Sequence, residues 1–269
     1  MLWFFRLIGG SLGWLSYKAG IRARVTLENL RNAFPEMSEK ARMRIASRSY
    51  SNLGKVFFEF LFLRFASRRK ISNGLLIDNL REVDKAISDS NGAILLSGHL
   101  GNWEWLAIGC SLHLDRHLCV IIKNQRSSIA ERFLAKMRTR FGNRMMNAGD
   151  ARAIYRALRQ KQLLAILGDQ TAGADDLRVS FFGREVPTFE GAARLALATR
   201  APIWFLQPYE RTRKGYNCHF HEVYFGDLIE PNEGNVRTLT ARHTAMLEQA
   251  IREKPEFWLW QHKRWKHAR

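Results

Sequence analysis

The chain has 269 residues, 46% of them hydrophobic, and a formal net charge of +18. That length and apolar share suffice for one large domain and exclude a disordered or low-complexity chain. The charge points to polyanionic partners, whether nucleic acid, anionic lipid or phosphorylated substrates. Residues 1–70 hold fourteen Lys and Arg against four Glu, and the closing HKRWKHAR (262–269) adds four cations without an acid, so most of the excess sits at the two ends. The three cysteines, Cys110, Cys119 and Cys218, show no CxxC spacing and read as free thiols rather than a disulfide framework or a zinc site.

In chain order, MLWFFRLIGGSLGWL opens with two Trp and two Phe around Arg6 and a Gly pair. It is shorter than the roughly 20 apolar residues that a bilayer span needs, and it lacks the cleavage pattern of a signal peptide. A second aromatic segment, VFFEFLFLRF (56–65), carries Glu59 and Arg64. Aromatic, basic, non-spanning segments suit a membrane interface; the alternative for both is an ordinary core helix. Residues 1–70 read as helical, with Ser38 as an N-cap before SEKARMRIASRSY. We therefore expect a helical, membrane-associating region over 1–70 and an α/β domain over 71–269, the two forming one continuous unit.

From about residue 90 the pattern becomes short apolar runs alternating with longer periodic segments. GAILLSG (92–98), LCVIIK (118–123), LLAILGD (163–169) and PIWFLQPY (202–209) read as buried strands, and the alternating YNCHFHEVYF (216–225) as a strand nearer an edge. Helices are expected over 127–141, 150–161, 190–199 and 234–253; the last aligns Val236, Leu239, His243, Met246, Leu247, Ala250 and Ile251 on one face. This alternation predicts an α/β fold with a mostly parallel central sheet flanked by helices. Ligands in such sheets sit outside the carboxyl ends of the strands, which is where His99 falls.

AILLSGHLGNWEW (93–105) ends its apolar run at Gly98 and then offers His99, with Glu104 five positions on. On one helix those two side chains would diverge. They meet if His99 lies in a strand-to-helix turn and Glu104 in the first helical turn, with Asn102 as cap. A carboxylate on one ring nitrogen would fix the tautomer and leave the other to accept a proton. From spacing alone the pair reads equally as a catalytic dyad and as a structural histidine at a strand end. No G-x-S-x-G elbow and no HExxH accompany it, so neither a serine acyl-enzyme nor a metal site is indicated. His113, His117, His219, His221 and His243 have no comparable context and read as structural or surface residues.

SGHLGNWEW, GDQTAG (168–173) and FFGREVPTFEGAARLALATRAPI (181–203) together resemble the bacterial lipid A late acyltransferases, the lauroyl/myristoyl transferases of the lysophospholipid acyltransferase superfamily. The resemblance extends to ENLRNAFPEMSEKAR (28–42) and WLWQHKRWK (258–266), and so spans nearly the whole chain. It implies transfer of a fatty acyl chain from acyl-acyl carrier protein to a hydroxyl of a phosphorylated glycolipid, a lipid A precursor, at the cytoplasmic face of a bacterial inner membrane.

The family's His-x4-Asp/Glu pair falls on His99, as general base, and Glu104, as the group that orients it. The implied substrate contacts are Asn102, Lys123, Asn124, Arg138, Asp169, Gln170, Phe182 and Gly183. Arg138 would meet an acceptor phosphate; its plain alternative is a solvated helix-face arginine, and that of Asp169 is a turn cap. The resemblance implies no metal and no cofactor, the carrier-protein thioester being a substrate. Expected partners are acyl carrier protein, the glycolipid acceptor and an anionic membrane surface, with peripheral or monotopic attachment. Nucleic acid is not among them, since no zinc-finger, RRM or similar motif accompanies the charge. The same dyad would serve another membrane lipid acceptor, such as a lysophospholipid or a glycosylated phospholipid. A non-catalytic basic membrane-surface protein is the reading from outside the enzymes.

Overall fold

The computed structural model describes residues 1–90, 92–122 and 135–268. Helices α1 (Leu2–Lys18), α2 (Ala23–Ala33) and α3 (Glu39–Leu63) occupy most of the region expected to be helical, followed by the short α4 (Arg68–Ser72). Ser38 caps α3, its hydroxyl accepting from the Ala41 N–H at 3.3 Å. α1 lies against α3 so closely that a Cβ on Gly9 would stand 2.4 Å from the Gly54 carbonyl oxygen, and one on Gly13 2.1 Å from that of Tyr50. Only glycine permits this backbone approach. The glycines therefore form the inner face of α1, while Trp3, Phe4, Leu7, Trp14 and Leu15 are exposed. No helix among the described residues is long and apolar enough to cross a membrane.

The segment 56–65, expected at a membrane interface, is instead largely a core element. Val56, Phe60, Phe62 and Leu63 are buried, and so is Glu59, whereas Phe57 and Phe65 face outward. The reason is helical geometry: within α3 the apolar run alternates between an inner and an outer face, and the inner one packs on the sheet.

The sheet has seven strands in the order β1-β9-β8-β2-β5-β3-β4. Five were legible in the sequence: β2 (Ala93–Ser97), β3 (Leu118–Ile122), β5 (Leu163–Leu167), β8 (Ile203–Arg211) and β9 (Tyr216–Glu222). The short β1 (Leu75–Ile77) and β4 (Arg144–Asn147) were not. All neighbours pair in parallel except β8 with β9. Alternate residues of β2 feed two cores. Ile94 and Leu96 pack with Leu164, Ile166 and the helices α7 (Ala151–Arg159), α8 (Gly191–Thr199) and α9 (Glu233–Glu253). Ala93 and Leu95 pack on the other side with α3, α5 (Leu80–Ser88) and α6 (Trp103–His113). Two buried faces explain why the β2 and β5 runs are apolar throughout rather than alternating.

A two-stranded hairpin, β6 (Arg178–Phe181) and β7 (Arg184–Pro187), stands apart from the main sheet. Its turn is Phe182-Gly183, with φ of +53° and +72°, the left-handed pair that a type I′ turn demands.

Candidate active site

The register of β2 against β5 builds the site. Their last pair is Ser97 with Leu167, so two further residues on each strand bring His99 beside Asp169. The Asp169 carboxylate accepts the His99 backbone N–H at 2.7 Å through Oδ2 and the ring at Nδ1 at 2.7 Å through Oδ1. The indole N–H of Trp258 donates to the same Oδ2 at 2.8 Å. Gly98 makes the approach possible, since a Cβ there would lie 3.1 Å from Asp169 Oδ2 and 2.6 Å from a Leu247 methyl. Gly101, at φ +54°, then turns the chain into α6.

The expected carboxylate on the imidazole was Glu104; the structure puts Asp169 there instead. Glu104, in the first turn of α6, meets Arg138 in a forked ion pair, Arg138 Nε lying 3.1 and 2.9 Å from its two oxygens and a terminal nitrogen also donating. Glu104 therefore takes its hydrogen bonds from Arg138, and the ring nitrogen Nδ1 is taken by Asp169; only the charge of Glu104 reaches the imidazole. Arg138, expected to meet an acceptor phosphate, thus has its charge matched by Glu104. Residues 135–139 are helical, and Arg140 ties this segment to α3 by donating to the carbonyls of Leu63 and Arg64 at 2.8 Å.

Asp169 is only 3% exposed. Burial alone would raise its pKa, but the charge and hydrogen bonds of His99 and the Trp258 indole outweigh that and hold it down at about 2. A carboxylate so acidic is an acceptor, so Nδ1 carries the proton and Nε2 is left as the basic nitrogen. Burial opposes charging of His99, yet the Asp169 carboxylate overcomes it and the net shift is upward. Glu104 adds to that rise and Arg138 opposes it. Trp103 stands edge-on to the imidazole at 4.9 Å between ring centroids, and the exposed Gln170 brings its amide nitrogen to 3.5 Å from Nε2. Among the described residues no cluster of three His, Cys, Asp or Glu side chains is arranged to hold a metal.

The other expected contacts separate from this centre. Asn102, fully buried, caps α6 by accepting the Trp105 N–H at 2.9 Å and donates to Glu59 at 2.9 Å. That makes it a structural link, with no face open to a substrate. Phe182 and Gly183 form the hairpin turn described above. The Phe182 ring is buried beside Phe181, Trp265 and Phe34 under the Arg252 guanidinium, and its N–H donates to Glu248, so it packs the β6–β7 hairpin onto α9. Lys123 and Asn124 lie outside the described residues.

Sequence reasoning missed three parts of the site: the Asp169–His99 bond, Trp258, and the Glu59 hub. Glu59 is 0% exposed. It accepts from Arg6, from Asn102, from Tyr216 Oη at 2.6 Å and from Arg211 at 3.3 Å, joining α1, α6, β8 and β9 around one carboxylate. The Asp169 contact had a legible signal, because GAILLSGH and LLAILGD align when laid side by side as parallel strands.

A histidine fixed by a buried carboxylate at the carboxyl ends of adjacent parallel strands is an arrangement that an α/β enzyme can use to take up a proton. Comparison with known proteins narrows the class. The bacterial lipid A biosynthesis acyltransferase family matches residues 3–267, and the chain belongs to that family. It is also similar to the lipid A biosynthesis lauroyltransferase of Escherichia coli (strain K12), at 21% identity over 253 residues, covering 91% of this chain and 79% of that protein. The protein is therefore an acyltransferase of lipid A biosynthesis.

Proposed function

We propose that the protein transfers a fatty acyl chain from acyl-acyl carrier protein to a hydroxyl of a phosphorylated lipid A precursor, with His99 as general base. The observation that carries this is the fixed tautomer: Nδ1–H donates to Asp169, so Nε2 is the proton acceptor. The substrate hydroxyl gives its proton to Nε2 as its oxygen attacks the thioester carbonyl. The tetrahedral intermediate then collapses with cleavage of the C–S bond, and the imidazolium returns the proton to the departing thiolate. Asp169 stabilises the imidazolium without accepting its proton. The oxyanion is met by Arg138, held by Glu104, or by backbone N–H groups at the start of α6.

A second observation supports the acyl part. An apolar groove of roughly 810 Å³ runs between α7 and α8 over Ile121 and Ile166, with Tyr155, Phe189 and Leu195 in its walls. Its floor lies on β3 and β5, and Ile166 is three residues before Asp169. A cavity of this size and polarity suits an aliphatic chain. The exposed outer face of α1, with Lys18 in its last turn, suits peripheral attachment to the cytoplasmic surface of the inner membrane.

The test is a transfer assay with purified protein, defined acyl-carrier-protein and acyl-CoA thioesters, and a panel of lipid acceptors, read by mass spectrometry. Transfer to the phosphorylated glycolipid that disappears in His99→Ala supports the reading. Preference for a lysophospholipid or for the CoA donor would redirect it, and wild-type turnover in His99→Ala would end it.

A further inference from the structure

A cleft of about 1180 Å³ opens beside the β8–β9 turn, between α1, α3 and α4. It shares no lining residue with the His99 site. Seven Lys and Arg side chains line it and no carboxylate does. Two of the seven, Arg6 and Arg211, reach the buried Glu59. The other five, Lys55, Arg69, Lys70, Arg213 and Lys214, have no ion pair among the described residues. The half-buried Lys55 has its pKa pushed down, by burial first and then by the charge of Arg211, with Glu59 opposing and Arg6 adding a little. A bound anion would oppose that shift.

The opposite wall is apolar. Met1 and, on α1, Trp3 and Leu7 line the same cleft, and Trp3 is 67% exposed. On a helix, Trp3, Phe4, Leu7, Trp14 and Leu15 fall within one arc of roughly 120°, opposite the glycines that pack on α3. The outer arc therefore continues the cleft's apolar wall along the whole of α1. A cationic wall meeting an apolar helix face matches an amphiphile, phosphate on one side and hydrocarbon on the other. An acidic protein surface would answer the five cations but leave Trp3 and Leu7 in water.

We propose that this cleft seats the phosphate headgroup of an anionic membrane phospholipid, a lipid that anchors the enzyme and is not its substrate. The seat rests on the reading of α1 as a membrane-surface helix. It fixes which way the molecule faces the bilayer: α1 lies flat, and the carboxyl edge of the sheet bearing His99 sits beside the membrane from which a lipid acceptor arrives.

The test is flotation of the full chain with phosphatidylcholine vesicles and with vesicles enriched in phosphatidylglycerol. Each cation near an anionic surface contributes roughly fivefold to partitioning. Arg69→Glu/Lys70→Glu/Arg213→Glu/Lys214→Glu should lower binding to the anionic vesicles by at least about a hundredfold. It should leave turnover on detergent-dispersed substrates unchanged. Arg81→Glu/Lys85→Glu/Lys161→Glu/Arg237→Glu, the same charge change on other surfaces, should cost far less. Should the fourfold reversal fail to fold, Arg69→Gln/Arg213→Gln reads the same effect at roughly twenty-fivefold.

Wild-type flotation of the cleft variants overturns the proposal. So does unchanged flotation with a raised KM for the carrier-protein thioester or the phosphorylated acceptor, which would make the cleft a substrate dock. His99→Ala should float like wild type. Loss of the transfer reading therefore leaves this result standing, and the reverse also holds.

Discussion

Two buried carboxylates, Asp169 and Glu59, stand near the carboxyl edge of the same sheet and do opposite things. Asp169 accepts from His99 and Trp258; Glu59 accepts from Arg6, Asn102, Arg211 and Tyr216. Two partners of Glu59 are held in their protonated forms: burial and the Glu59 charge drive the Tyr216 hydroxyl far above its ordinary pKa, and the Arg211 guanidinium is also raised. Asp169 faces the single ring in the pair of networks that can exchange a proton near neutrality. A buried carboxylate makes a reactive centre only when its partner titrates; with permanent donors it makes a joint.

That contrast can be broken in several ways, the most severe first. His99→Ala should remain folded and lose transfer by about 10³-fold or more, measured as single-turnover acyl transfer. Asp169→Asn should lose about 10²- to 10⁴-fold, because an amide does not hold Nδ1–H or stabilise the imidazolium as a carboxylate does. Glu104→Gln should lose less than Asp169→Asn and act mainly through Arg138, lowering kcat with little change in KM for the acceptor. If Glu104→Gln proved the more damaging and Asp169→Asn near wild type, the imidazole's working partner would be Glu104 after all.

At the joint, Glu59→Gln leaves Arg6 and Arg211 uncompensated and should cost about 3–5 kcal/mol, seen as a fall of Tm by calorimetry. Its effect on the chemical step should be smaller than that of Asp169→Asn. Gly13→Val forces α1 off α3 and should cost about 1–3 kcal/mol, read in the same melt.

Much of the fold was legible because burial writes itself into long patterns. β2 and β5, covered on both faces, read as unbroken apolar runs, and α9 showed its inner face through a 3.6-residue period. β1 and β4, three and four residues long, carry too few positions to register a period. The site was half legible: His99 stood out at a strand end, whereas its carboxylate lay 70 residues away and reached it only through β2–β5 register. Local spacing favoured Glu104 because it counts positions along the chain, and a parallel sheet brings together residues that are distant in it. Glu59 looked like an interruption in an aromatic segment because its four partners come from four other elements. Arg264 was read with the basic tail, yet it is 1% exposed and donates to the Pro187 carbonyl at 2.6 Å and the Thr188 hydroxyl at 2.7 Å.

The pH dependence of kcat/KM in wild type and in Asp169→Asn tests the pairing most directly. A general base works deprotonated, so activity falls as pH drops through the pKa of His99. With Asp169 in place that pKa lies above the ordinary histidine value of 6.5, and the acid limb should lie above it too. Removing the carboxylate leaves burial, which disfavours the imidazolium, so the limb of Asp169→Asn should move to lower pH while its plateau falls. An acid limb at the same pH in both proteins would contradict the account.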